Sequence, residues 1–418
     1  MAGIIGLMVS PFMPDVEKLI AVRAGLPASG AGIYLNTGTA GPIPSEAAVA
    51  MADLAQWEVT TGRSHQGFIE DSQARRDEAR AAVAAIIHAD LDAVALTHST
   101  TDGVIAALWS IGWQPGDNLV TTTVEFPGVM AAVAALADRC GADVRAVNPG
   151  PDDAASLAAF ARALDERTRI VLLSHVAWTT GDRLPVADIV TLVRAAAPRA
   201  LVVLDGAQSV GAIPVSVGDL DVDFLAFPAR KWLLGPDGMG ALYVSPRITD
   251  LVRPAFAGIN GLADPHFPDR GLRRDARAFE ASSFHAPSVV GMARSCGWLS
   301  MYVGLDWITE RAQGLALVAW DRLAAAPGVT VLTSRDRLAT LVTFRIATWS
   351  AGDVLDELGR RTFAIARHMD GLDAIRISTA FFNTEGEIGR FCDAVAEIAV
   401  HTPETLPRRP ALTILGQG

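Results

Sequence analysis

A chain of 418 residues, half of them hydrophobic and 19% charged, has ample material for a buried core, which excludes an extended disordered protein. Its formal net charge of -11 offers no basic face for nucleic acid or an anionic membrane. The three cysteines, Cys140, Cys296 and Cys392, stand far apart with no CxxC pair, which excludes a disulfide framework and a thiolate zinc site and suits a reducing, cytoplasmic compartment.

In chain order, the apolar start over residues 1–13 is short, lacks a positive lead and runs into Asp15 and Glu17, so no secretory signal is expected. No uncharged apolar stretch approaches the ~20 residues that a membrane-crossing helix needs. Residues 1–30 are expected to form an N-terminal segment that packs with a smaller domain further along. From Asp92 onward, short β-rich runs alternate with alanine-rich stretches of helical period, the pattern of an α/β fold with a mostly parallel sheet. The spacing predicts seven strands, at 93–97, 118–123, 143–147, 169–174, 200–205, 224–227 and 240–244. Helices are predicted at 103–110, 127–140, 154–164 and 185–197, two of them with proline near the start, as helix beginnings prefer.

Residues 251–278 break this rhythm with Gly, Pro, Asn and the charged run from Arg270 to Arg277, and read as a long surface loop. After Pro287 a long amphipathic helix is expected through Arg311 and Leu323, then strands at 329–332 and 339–346, then further helices. The division that follows is a large domain at 31–285, a smaller α+β C-terminal domain at 286–400 and a peripheral tail at 401–418.

Chemistry enters with an apolar strand that delivers Asp205 to its C-terminal end, where parallel sheets place ligands. Lys231 follows the next strand, and only one other lysine, Lys18, exists among 35 basic residues, the remaining 33 being arginine. A lysine at a strand-to-loop junction can form an imine with an aldehyde cofactor, and a buried carboxylate can keep a pyridine nitrogen protonated. That pairing describes a pyridoxal phosphate site. Alone, either residue reads equally well as a solvated loop lysine or a helix cap; their flanks separate the two readings.

Those flanks are Tyr34-Leu-Asn-Thr-Gly, Ser99-Thr-Thr-Asp-Gly, Gly116-Asp-Asn with Glu125-Phe-Pro, Ser174-His with Thr180-Gly, Asp205-Gly-Ala-Gln and Lys231-Trp-Leu-Leu-Gly-Pro. In this order they resemble the class V aminotransferase and cysteine desulfurase branch of fold-type I pyridoxal phosphate enzymes, over most of residues 31–400. The resemblance implies an aspartate-aminotransferase-like large domain that binds the cofactor. It implies that Lys231 carries the cofactor, Asp205 pairs with its ring nitrogen and Gln208 hydrogen-bonds its phenolic oxygen. Thr100 and Thr101, at the start of an apolar helix, would offer N–H groups and hydroxyls to the phosphate. Asn36 and Thr37 fall in a block expected at the substrate. Arg376, in Ile375-Arg-Ile-Ser, would grip the substrate α-carboxylate. Ser283 matches a position whose hydroxyl reaches the phosphate of the neighbouring subunit, which implies a homodimer with shared sites.

Several positions depart from the family pattern. Desulfurases usually place a histidine where Phe126 stands; a phenyl ring can stack but cannot titrate. The usual Ser or Thr, Gly, His before the lysine is replaced by Pro228-Ala-Arg, which removes a phosphate-binding hydroxyl and offers Arg230 instead, with a surface salt bridge as the alternative. Trp178 replaces a common asparagine and looks like the cystine C–S lyases of this branch, although core packing also explains it. Only nine positions separate Arg367 from Arg376, where persulfide-storing desulfurases insert a reactive cysteine, and none stands here. All three cysteines read as packed. The resemblance would bring His65, His98, His175 and His285 toward the site, with spacing that supports no metal site.

The leading reading is a pyridoxal phosphate enzyme that acts on an amino acid through an external aldimine and α-carbanion, with β-elimination at the C–S bond of cysteine or a cysteine conjugate. A class V aminotransferase comes second and an amino-acid epimerase of the isopenicillin N epimerase type third. A catalytically silent scaffold on the same fold is the reading from a different class, and joint retention of Asp205, Gln208 and Lys231 counts against it.

Overall fold

The computed structural model describes residues 9–264, 266–281 and 283–407; the first eight residues and the tail beyond 407 lie outside the described residues. The elements run α1 (Asp15–Gly25), β1 (Ile33–Tyr34), α2 (Ser45–Thr61), α3 (Phe68–Ile87), β2 (Val94–Thr97), α4 (Thr100–Trp109), β3 (Asn118–Thr122) and α5 (Pro127–Cys140). They continue with β4 (Asp143–Val147), α6 (Asp153–Ala163), β5 (Thr168–Ser174), α7 (Val186–Ala196), β6 (Leu201–Asp205), α8 (Val217–Leu220), β7 (Phe224–Pro228) and β8 (Gly240–Val244). The last part comprises α9 (Ala286–Gly297), α10 (Leu305–Ala325), β9 (Val329–Val331), β10 (Leu341–Ile346), α11 (Ala351–Thr362), β11 (Ala364–Ile365), β12 (Arg367–Met369), β13 (Ala374–Ser378) and α12 (Glu385–Ala399).

Seven strands form one sheet in the order β2-β8-β7-β6-β5-β3-β4, and β8 alone runs against the others. Its central strands are apolar on both faces because both are covered. Val202 and Leu204 of β6 enter a core that includes residues of α3, α7 and α9, while Leu201 and Val203 enter the opposite core with α4 and α5. The seven strands and four helices expected between residues 92 and 245 are all present, with ends displaced by a few residues at most.

A second sheet of four antiparallel strands, β12-β13-β10-β9, has its own core with Leu315, Ala319 and Leu323 of α10 and Phe391 and Val395 of α12. The chain crosses between the two sheets early: β1 pairs with β11, and Asn36 bridges to Ser378 at the end of β13. In α1, Arg23 pairs with Glu387 of α12 at 2.9 Å and donates to the Phe382 carbonyl at 2.8 Å.

The long helix expected after Pro287 is two helices. It passes through a π-helical stretch at Trp298–Val303 and breaks at Gly304, whose φ of 93° no right-handed helix accepts. The apolar packing of the first core continues through α9 to Ile308, so the expected division between residues 285 and 286 does not coincide with a change of core. Helices α2 and α3, which pack on α9, precede the alternating region and add to the elements its pattern predicts.

Candidate active site

Past β3 the chain crosses to β4 on one side, and β5 lies on the other, so a crevice opens beyond the C-terminal ends of β3 and β5. A cavity of about 190 Å³ occupies this place, with Ser174 from the end of β5, Asp205 from the end of β6 and Lys231 from the loop after β7 in its wall.

Asp205 is 5% exposed, and its Oδ1 accepts the Ala207 N–H at 2.7 Å. Burial raises its carboxyl above the ordinary range, and the Lys231 charge draws it part of the way back. Burial pushes the Lys231 amine down to about 8; Asp205 opposes that shift, and the charges of Arg376, Arg230 and Arg367 add to it. Both shifts have one cause, the cost of a charge held away from water. The backbone around Lys231 is tightly specified. Leu234 donates to the Lys231 carbonyl at 3.1 Å from a φ of 54°, a conformation that branched side chains rarely adopt. Gly41 approaches the same carbonyl so closely that a Cβ there would stand 2.4 Å from it.

Helix α4 starts at the cavity. Ser99 caps it by accepting the Asp102 N–H at 3.1 Å, and Thr100 and Thr101 supply first-turn N–H groups that have no carbonyl within the helix. Arg230 also lines the cavity and reaches Asp237 at 3.2 Å, a contact that leaves donors of its five-donor guanidinium for an anion. Gln208 donates to the Gly38 carbonyl at 2.8 Å and accepts from Trp232 Nε1 at 3.0 Å, so one amide N–H remains for a ligand.

Arg376 on β13 is 2% exposed and faces Arg367 across the β12–β13 ladder. Burial, then the Arg367 charge, pushes it down to about 10. Its Nη1 donates to the Trp178 carbonyl. The Trp178 indole donates to the Glu125 carbonyl at 3.0 Å and stands edge-on to Phe126, with ring centroids 5.5 Å apart.

Nine expected residues thus line one cavity: Lys231, Asp205, Gln208, Thr100, Thr101, Phe126, Arg230, Trp178 and Arg376. Asn36 and Thr37 do not. The Asn36–Ser378 bridge fixes their backbone in the β1 extension, Thr37 is fully buried, and the next two residues, Gly38 and Thr39, line the cavity instead. Ser283 is exposed and lies with His285 in a separate hollow beside Arg63 and Arg75. His98 stacks on Phe284 at 4.9 Å, His65 pairs with Asp71, and His175 is buried and pushed down to about 4; none lines the cavity. Glu125 and Ser174 belong to the matching blocks, but their residue types alone indicate no role. They sit 49 positions apart, and only the β3–β5 neighbourhood joins them. Among the described residues, no group of three or more His, Cys, Asp or Glu is placed to hold a metal.

The donor set fits pyridoxal phosphate: an amine lowered toward neutrality for the aldehyde, a buried carboxylate for the ring nitrogen, and a helix start with Arg230 for the phosphate. The model of the class V aminotransferase family matches residues 33–391. The chain belongs to the class V aminotransferase family. Within reach of this family, a probable cysteine desulfurase of Methanothermobacter thermautotrophicus is 25% identical over 394 residues, spanning 90% of this chain and 97% of its own. Among solved structures, a lysine-to-alanine mutant of C-DES, with glycine covalently linked to its pyridoxal phosphate cofactor, is 26% identical. It superposes with a TM-score of 0.84 over 90% of this chain and 98% of its own. The cystine C–S lyase C-DES bound to its reaction product, cysteine persulfide, is likewise 26% identical, with a TM-score of 0.83 over 89% of this chain and 99% of its own. This class V chain shares their fold along almost its whole length.

Proposed function

We propose that this chain is a pyridoxal phosphate enzyme that cleaves the C–S bond of cysteine or a cysteine conjugate by β-elimination. The observation that carries the reading is the arginine pair on β12 and β13, set in the same cavity as Asp205 and Lys231 and joined only by the short turn Asp370–Leu372. No room is left there for a sulfur-carrying cysteine. Cys140 is exposed, against the expectation that all three cysteines are packed; Cys296 and Cys392 are pushed up to about 12 by burial, and among the described residues no cysteine lines the cavity.

Bound pyridoxal phosphate supplies the aldehyde that captures the substrate amine and the ring that accepts electrons from the α-carbon. Asp205 holds the ring nitrogen protonated. Phe126 covers one face of the site and, lacking a titratable group, leaves Lys231 Nζ to take the α-proton. Arg376 binds the α-carboxylate in a forked contact and so fixes which bond of the α-carbon meets Lys231. Arg367 lines the cavity with its own charge, which suits a second acidic group further along a conjugate such as cystine. Elimination then expels the sulfur-bearing group, and the remaining carbon skeleton takes up water to give pyruvate and ammonia.

In this reading the enzyme works as a homodimer in which Ser283 serves the neighbouring site, and the three free cysteines suit the cytoplasm. The large domain carries the seven-stranded sheet and runs past residue 285 with α9, and the small domain carries the four-stranded sheet. Phe126, a stacking ring of the aminotransferase kind, favours transamination as the second reading.

The test is to purify the protein, record its visible absorbance and incubate it with cysteine, cystine, or alanine plus a keto acid. Pyruvate is expected together with sulfide from cysteine or a persulfide from cystine. New amino acid from the keto acid, with pyruvate formed from alanine but none from cysteine or cystine, would instead establish the aminotransferase, and a colourless protein that cofactor cannot reconstitute would sink both.

A further inference from the structure

The wall of the crevice holds a second carboxylate that the proposed reaction does not use. Glu125, 5% exposed, stands just beyond β3 and does not itself line the cavity. Its Oε1 accepts from Thr122 Oγ1 at 2.6 Å and from the Ser174 N–H at 3.0 Å, and its Oε2 lies 2.5 Å from Ser174 Oγ. Its carbonyl receives the Trp178 indole. One buried residue therefore holds two that line the cavity, Ser174 and Trp178, and adjoins a third, Phe126.

A carboxyl group in this position has two arrangements. Ionised, Oε2 accepts the Ser174 hydroxyl proton, and the serine oxygen has only lone pairs left for the cavity. Protonated, Oε2 donates to Ser174 Oγ, and the serine hydroxyl proton is free to serve the cavity. We propose that Glu125 is a positioning residue whose proton sets the hydrogen-bonding polarity of Ser174, deciding whether Ser174 donates to the bound substrate or accepts from it. The inference rests on the cavity being the substrate site.

The surroundings put this exchange in a working range. Burial raises Glu125 to about 7, its hydrogen bonds to Ser174 and Thr122 hold it partly back, and the negative charge of Asp205 raises it further. Asp205 stands opposite Ser174 in the β5–β6 register and is itself opposed by Lys231. The neighbouring His175, pushed down to about 4, is neutral at pH 7, β3 carries no charge, and α5 carries none before Asp138.

Two readouts test the assignment. Infrared difference spectra of the protein as purified, taken across roughly two pH units either side of 7, report a protonated carboxyl group directly. The expected result is a carboxyl band that disappears with a midpoint near pH 7, is missing from Glu125→Gln and is shifted but retained in Ser174→Ala. In the pH profile of kcat/KM, the wild type should show a limb near 7 that both variants lose, because glutamine fixes one arrangement and alanine has no hydroxyl to switch. Ser174→Thr should restore it. A wild type without the band, a band that survives in Glu125→Gln, or an unchanged limb in Ser174→Ala would overturn the inference. A band that behaves as expected in a protein that turns over no cysteine or cystine supports the Glu125 assignment and strikes the lyase reading instead.

Discussion

Lys231 is pulled in two directions: burial favours its neutral amine, and Asp205 favours its ammonium form. With the balance near 8, the neutral amine that attacks an aldehyde reaches its full population about two pH units lower than in an ordinary lysine. The rate at which cofactor-free protein takes up pyridoxal phosphate should therefore rise with pH and level off just above 8. Stopped-flow absorbance checks this, and a rise continuing to about pH 10 contradicts the burial argument. Arg376→Lys keeps the charge but loses the fork, so KM should rise by roughly 10-fold or more with a smaller change in kcat. Much of this was legible in the sequence, because Lys231 and Asp205 declare themselves by residue type at strand ends. Asn36 and Thr37 stand beside the cavity and not in its wall; a motif does not specify which of its residues faces the cavity. A backbone bridge to Ser378, over 340 positions away, decides that.

Among the elements, the loop from His175 to Leu184 couples the two sheets, since it carries Trp178 to the cavity and lies against β10. Gly181 is its tightest point. It has a φ of 85°, and a Cβ there would stand 2.5 Å from the Leu341 carbonyl oxygen. Gly181→Ala should cost about 2 kcal/mol by chemical unfolding, through backbone strain and lost approach together. KM should rise as well, because Trp178 and Arg376 are held to each other across this contact. Full stability in that variant would show that the loop is free to move away from β10. The strand and helix alternation from residue 92 onward was legible because the central strands are apolar on both faces and the helices between them are alanine-rich with a helical period. Helices α2 and α3 were less so, with stripes of weak contrast that only α9 completes. The break at Gly304 carried a signal in its glycine, and the apolar period running past it concealed the change of direction.

For the whole molecule, the strongest constraint is compositional. A chain with 33 arginines has two lysines, and the fold uses them in opposite ways. Lys18 is 3% exposed, donates to the Pro11 carbonyl at 3.0 Å and lies over the Trp307 ring, holding α1 to α10. Lys231 lines the cavity. A homodimer with shared sites predicts a sedimentation mass about twice 44.0 kDa, and loss of cofactor affinity in Ser283→Ala without loss of the dimer. A monomer with full activity would remove the shared site. The central claim, that Lys231 is the residue that holds pyridoxal phosphate, meets its most direct test in borohydride reduction of the purified protein followed by peptide mass mapping. One pyridoxyl adduct is expected, on the peptide containing Lys231 and absent from Lys231→Arg. An adduct on the Lys18 peptide alone, or none in a protein supplied with the cofactor, would contradict it.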